Sequence, residues 1–228
     1  MLSKRIKQSL SNQTLASYIS SQLNNFFPDD ILTSSEQLFE AIQKAEGRVY
    51  HCFSNIEKKY FHENGVTQFN HLISDQYCMY LYMLSNNVYI ESGDEELATK
   101  LYYLNKALHS VDIFYTTNLP NIFLLVHPLG TIIGRAKFSD FFVAYQGCTV
   151  GCLNEGIFPT FKGNTIMYAN SKVLGDCTIG NNVCIAADSS VINRNILSNK
   201  VVIGSAKDGI IKTNEKTIKQ RPPFKYGN

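Results

Sequence analysis

Residues 161–204 read, in blocks of six, FKGNTI MYANSK VLGDCT IGNNVC IAADSS VINRNI LSNKVV IG. Every block opens on an apolar residue: Phe161, Met167, Val173, Ile179, Ile185, Val191, Leu197 and Ile203. Four residues on stand Thr165, Ser171, Cys177, Val183, Ser189, Asn195 and Val201, all small or medium-sized, and then Lys207. Gly180, Ala186 and Gly204 directly follow the apolar position. Self-similarity at a fixed period marks a solenoid. Three short strands make one coil of about eighteen residues, and coils stack at about 4.8 Å. The large apolar residue points into a narrow triangular bore, and the small one sits where space is tightest. Each coil satisfies the backbone groups of its neighbour, so several are needed together. The expectation is a left-handed parallel β-helix of hexapeptide repeats.

Upstream the repeat continues with a slip, because Ile133-Gly134 and Val150-Gly151 are seventeen residues apart. Between Gly151 and Phe161 the stretch CLNEGIFPT breaks the period. It reads as a protruding loop, 152–160, of the kind that carries function. Beyond Lys212 the chain turns basic and polar, which reads as a flexible tail over 213–228.

The first half has a different period. Apolar residues recur every three or four positions, as in Leu15, Ile19, Leu23 and Phe26/Phe27. A second helix is expected from the N-cap-like Thr33-Ser34-Ser35-Glu36 through Leu38, Ile42 and Ala45 toward Tyr60. A third is expected over Gln68–Leu84 and a fourth over Asp94–Val111, with breaks at Gly65 and Ser92-Gly93-Asp94. Tyr77, Tyr80, Tyr82, Tyr102 and Tyr103 read as helix-packing core. The class is therefore α+β: a helical domain over 1–116, then the β-helix over 117–212.

Net charge is +2, which offers no electrostatic case for nucleic acid or a membrane surface. Apolar runs such as Ile122–Val126 are too short to span a bilayer. Met1-Leu-Ser-Lys-Arg lacks the apolar stretch of a signal peptide, so the expectation is a cytoplasmic protein. Cys52, Cys78, Cys148, Cys152, Cys177 and Cys184 show no zinc-site spacing and read as reduced, buried thiols.

Asp112-Ile113 is followed by thirteen residues and then by His127-Pro-Leu-Gly130-Thr-Ile-Ile133-Gly134. About one coil later comes Gln146-Gly-Cys-Thr149-Val150-Gly151, and further on Ala169-Asn-Ser-Lys172-Val-Leu-Gly175 and Gly204-Ser-Ala206-Lys207. This series resembles the motifs of the serine acetyltransferase family over about residues 110–212, and the helical half resembles it in outline. The resemblance implies direct acetyl transfer from acetyl-CoA to a hydroxyl, with no metal. His127 matches the family's general base, and Asp112 matches the carboxylate that holds the imidazole tautomer. The Gly151/Cys152 turn would supply the oxyanion donor. Coenzyme A would lie along Ala169, Ala187 and Gly204, with Lys172 and Lys207 near its phosphates. The family's sites lie between subunits, which implies a homotrimer or a dimer of trimers.

Three departures concern the acceptor. Val126 and Ile157-Phe158 stand where the family carries Asp and Arg-His, and no Asp-Pro-Ala occurs in the helical half. The family's C-terminal Ile, which docks the next enzyme of cysteine synthesis, has no counterpart in Tyr226-Gly227-Asn228. The acceptor is then serine or, because a pocket with Tyr145, Gln146 and Phe158 would leave a zwitterion's polar groups unpaired, a sugar or other alcohol. Two other readings stay open: N-acetylation of an amino-sugar precursor of a surface polysaccharide, and a non-catalytic β-helix assembly protein. His109 is a weaker candidate base.

Overall fold

The computed structural model describes residues 6–205, 208–216 and 223–225. Helix α1 (Asn12–Phe26) begins where the Ser11 hydroxyl accepts from the Thr14 amide at 3.1 Å. Helix α2 (Ser35–Ser54) is capped by Ser34 in the same way and stops at Asn55, short of Tyr60. Helix α3 (Ser74–Ser92) ends on Gly93, whose φ of 66° is the left-handed cap that glycine permits. Helix α4 (Glu95–His109) is capped by Asp94, with Glu95 and Glu96 in its first turn.

α3 starts six residues later than the periodicity suggests. Residues 62–69 instead belong to a small sheet in which β1 (Lys7–Gln8) pairs parallel with β3 (Val66–Phe69), and β2 (His62–Glu63) pairs antiparallel with β3. The Asn70 side chain turns the backbone there by accepting from the Leu72 amide. α3 lies at the centre of the helical half, with Tyr77, Tyr80 and Tyr82 buried on it as expected. Tyr103, by contrast, is an exposed surface residue.

The second half is a coil of parallel strands with three faces. The first face holds β4 (Phe123–Val126), β6 (Phe142–Tyr145), β9 (Thr165–Met167), β12 (Val183–Ile185) and β14 (Lys200–Ile203). The second holds β5 (Ile132–Ile133), β7 (Thr149–Gly151), β10 (Lys172–Leu174) and β13 (Ser190–Ile192). The third holds β8 (Thr160–Phe161) and β11 (Thr178–Ile179), extended by the single bridges Lys137↔Thr160 and Ile179↔Ile196. In the regular coils partners are eighteen residues apart, as in Lys172↔Ser190, Thr160↔Thr178 and Val183↔Thr165. Ile133 pairs with Val150, which is the seventeen-residue slip seen in the sequence. The protruding loop adds five residues, so that Thr149 pairs with Lys172.

Phe161, Met167, Val173, Ile179, Ile185 and Val191 all point inward. Thr165, Ser171, Val183 and Ser189 are buried too, each just after an Asn or Asp in the left-handed region that turns the corner (Asn164, Asn170, Asn182 and Asp188). The hexapeptide period then breaks. Leu197 is 76% exposed and Ile203 40%, while Ile196 and Val202 fill the bore. The corner after β13 is one residue short, so Ile179 faces Ile196 and Cys184 faces Val201. Asn193 and Asn195 fix it by accepting from the Asp176 and Thr178 amides at 2.9 and 2.7 Å.

Toward the end of the chain two features differ from a flexible tail beginning at 213. Strand β15 (Ile210–Thr213) turns back antiparallel on β14, and Phe224 is buried against Phe141 with ring centroids 5.4 Å apart. Backbone pairing holds β15, whose side chains are mostly exposed, and apolar burial holds Phe224. One hydrophobic core runs continuously from the helices into the coil, joined by Tyr82 stacked edge-on to Phe123.

Coil spacing sets a sharp constraint at Gly180. A Cβ there would meet the Ser198 amide nitrogen at 2.4 Å and the Leu197 carbonyl carbon at 2.8 Å. Both are backbone atoms of the next coil, so they cannot swing aside. Gly180→Ala is expected to cost about 1–3 kcal/mol in denaturant unfolding. A loss below about 0.5 kcal/mol would mean that the coils are less closely stacked.

Candidate active site

Strand register aligns the residues in question. Val126 pairs with Tyr145, Ala144 with Met167, and Ile185 with Val202. Continued past the strand ends, these registers put His127, Gln146, Ala169, Ala187 and Gly204 in one line along the corner between the first and second faces. The expected base, the acceptor-pocket residue Gln146 and three of the expected coenzyme contacts thus share one edge. A cavity of about 590 Å³ lies over the outer side of the first face (Ile166, Cys184, Val201); it approaches that edge only at Tyr168 and Ile203, and Lys212–Lys216 wall its far side. Tyr145 is half-buried and stacks on Tyr168, ring centroids 5.3 Å apart at 26°. Lys172 is exposed, and its ammonium donates to the Asn170 carbonyl at 3.0 Å. Lys207 lies outside the described residues.

His127 sits where β4 ends. Val126 before it is buried in the core and not part of a polar pocket. His127 itself has a φ of 48°, although proline follows it. That region is sparsely populated by non-glycine residues, and a following proline favours extended backbone instead. Its side chain is 74% exposed. Its amide donates to Asp75 Oδ1 at 3.1 Å, and its Nδ1 lies 3.9 Å from the same oxygen. Asp75 stands in the first turn of α3 and is itself buried. Tyr60 donates its hydroxyl to Asp75 Oδ2 at 3.3 Å. Burial pushes the Asp75 carboxyl up, against the lowering effect of the His127 amide, the imidazole and Tyr60.

Asp112 differs from the expected arrangement. Tyr102 donates to its Oδ1 at 2.8 Å and Lys106 to its Oδ2 at 2.6 Å, so both oxygens face α4. Burial pushes this carboxyl up, but Lys106 and Tyr102 outweigh it and hold it below the usual carboxylate range. Among the described residues, the carboxylate within ion-pair reach of His127 is Asp75. An acidic residue at the head of a helix reads in sequence only as a favourable dipole partner. Its contact with His127, fifty-two positions away, leaves no local signal.

Gly151 and Cys152 lie at the far end of the second face, a whole face of the coil away from His127. Phe158 is half-buried in the loop they begin, with Ile157 exposed beside it. Within one protomer, then, the two parts of the expected site occupy different corners. Cys152 is exposed, whereas the other five cysteines are buried. His109 is buried and bonded to Asn105 Oδ1 at 2.8 Å, and burial lowers its pKa, so it belongs to the core. Among the described residues no cluster of three or more His, Cys, Asp or Glu side chains could hold a metal ion, and no helix is long and apolar enough to cross a membrane.

The serine acetyltransferase of Synechococcus elongatus is 34% identical over 108 residues, covering 46% of this chain and 44% of that protein. That of Staphylococcus xylosus is 30% identical over 116 residues, 46% of this chain and 53% of that protein. Over about half of its length, then, the chain is similar in sequence to serine acetyltransferases. The match spans about half the length of these curated relatives. Among solved structures, the Neisseria gonorrhoeae serine acetyltransferase (CysE) superposes with a TM-score of 0.70 at 21% identity, over 91% of this chain and 82% of that one. The Brucella abortus serine acetyltransferase in complex with coenzyme A gives 0.64 at 16%, over 90% and 83%. The chain therefore shares their fold, with helices first and parallel coils after. No protein-family model matches it.

Proposed function

We propose that this chain is an acetyl-CoA-dependent O-acetyltransferase acting on a small hydroxyl acceptor. The carrying observation is the corner line His127, Gln146, Ala169, Ala187 and Gly204. In this reading the helical domain spans 1–116 and a left-handed catalytic coil spans 117–212. His127 Nε2 removes the acceptor proton as the oxygen attacks the acetyl carbonyl. The intermediate carries its negative charge on the former carbonyl oxygen, which a backbone amide near Gly151/Cys152 receives. Collapse breaks the C–S bond, and His127 returns the proton to the departing thiolate. Because His127 and Gly151 occupy different corners, the site is completed by a second protomer, in keeping with a trimer. Pantetheine lies against Ala169, Ala187 and Gly204, where small residues let it approach the backbone, and Lys172 and Lys207 meet its phosphates.

The acceptor is a sugar or another alcohol rather than serine. Val126 is buried, and Ile157, Phe158 and Tyr145 offer apolar surface where a zwitterion needs charged partners. The test is thiol release from acetyl-CoA against serine, homoserine and nucleotide-linked sugars. Turnover on a sugar or simple alcohol, with serine at least about tenfold poorer, is the expected result. Efficient serine turnover overturns the acceptor assignment. No thiol release with any acceptor, together with no binding of acetyl-CoA, overturns the enzyme assignment.

A further inference from the structure

We infer that Asp75, at the head of α3, is the positioning carboxylate for His127, in the place where the family resemblance puts Asp112. The inference rests on the reading of His127 as the base. Three observations carry it. First, Asp75 Oδ1 accepts the His127 amide at 3.1 Å and lies 3.9 Å from Nδ1, so one oxygen meets both the backbone and the ring. A modest rotation of the exposed ring closes the second contact. Second, the Asp75 side chain is only 7% exposed, and its other oxygen is held by Tyr60 at 3.3 Å. A buried, doubly anchored carboxylate has little freedom to turn away. Third, Asp112 is engaged on both oxygens by Tyr102 and Lys106, which tie the first coil to α4.

The contact also explains the backbone. His127 adopts φ 48° before Pro128, a conformation that needs outside support. The hydrogen bond from its amide to Asp75 supplies that support. The same turn directs the imidazole outward to solvent, where an acceptor can reach it. With Nδ1–H directed at Asp75, Nε2 is left bare to take the acceptor proton. The titratable groups facing Asp75 are His127, Tyr60 and, at longer range, Lys58, with Cys78 behind it in the core. The helical half thus has a direct part in the chemistry: it supplies the group that sets the tautomer of the base.

The test compares wild type, Asp75→Asn, Asp112→Asn and His127→Asn in the full chain, with acetyl-CoA and the best acceptor from the panel. An Asn at 75 keeps an oxygen for the His127 amide and the ring, with its NH2 on the Tyr60 side, but removes the charge that favours a proton on Nδ1. Asp75→Asn is expected to lower kcat at least about tenfold with KM within about twofold. It is also expected to shift the imidazole 15N signals of His127 toward the Nε2–H tautomer. A merely structural role moves neither the tautomer nor kcat alone. Unchanged 15N signals, or a loss confined to Asp112→Asn, overturn the inference. If His127→Asn retains full turnover, the reading of His127 as base fails, while the 15N signals still decide whether Asp75 holds the ring.

Discussion

Turnover is expected to fall about 10²–10⁴-fold when His127 is replaced by asparagine, with the fold intact. Asparagine is the informative choice because it tolerates positive φ better than alanine does. His127 holds a φ of 48°, so alanine would add backbone strain to the loss of the base. The side chain is 74% exposed and packs little, so truncation removes no core volume. The measurements are thiol release and a thermal melt. A melt close to wild type with turnover within threefold would remove His127 from the chemistry. A large fall in both would mean that the turn, not the imidazole, matters most.

The largest stability effect is expected at Phe161. It is 1% exposed, lies parallel to Phe138 at 5.0 Å and 8°, and meets Phe142 edge-on at 5.3 Å and 69°. The bore is narrow and walled by backbone, so little can collapse into the space left by the ring. Phe161→Ala should therefore cost about 3–5 kcal/mol, and lower the Tm by roughly 10 °C for a chain of this size. Leu197→Ala is the companion variant. The strict six-residue step gives Leu197 the same standing as Phe161, but 76% exposure predicts a change of no more than about 0.5 kcal/mol. Similar losses at both positions would contradict the register of the last coil.

That pair marks the limit of what the sequence discloses. The coil was legible because inward residues recur at a fixed step and the corners leave little room. The slip at residues 193–195 was not, because Ile196-Leu197 and Val202-Ile203 are apolar pairs in which either member suits the bore. Side-chain bonds from Asn193 and Asn195 to the preceding coil choose between them, and these are tertiary. The four helices were legible from caps and glycine, as at Ser34 and Gly93. The small sheet escaped because β1 is two residues long and pairs across sixty positions. At the site, the family resemblance pairs Asp112 with His127. The orientation of Asp112 is set by Lys106 and Tyr102, one helix away.

The reversal of β15 bears on how the molecule behaves in a crowd. A stack of parallel strands ends on unpaired amides and carbonyls, which can recruit another stack and grow into a filament. Here the first face is shut at one end by an antiparallel strand, Ile210–Thr213, which offers the wrong polarity for a further coil. At the other end α3 packs on β4. A further parallel coil thus cannot simply continue the stack past β15 on that face. Lengthening the coil there means inserting turns between β4 and β14.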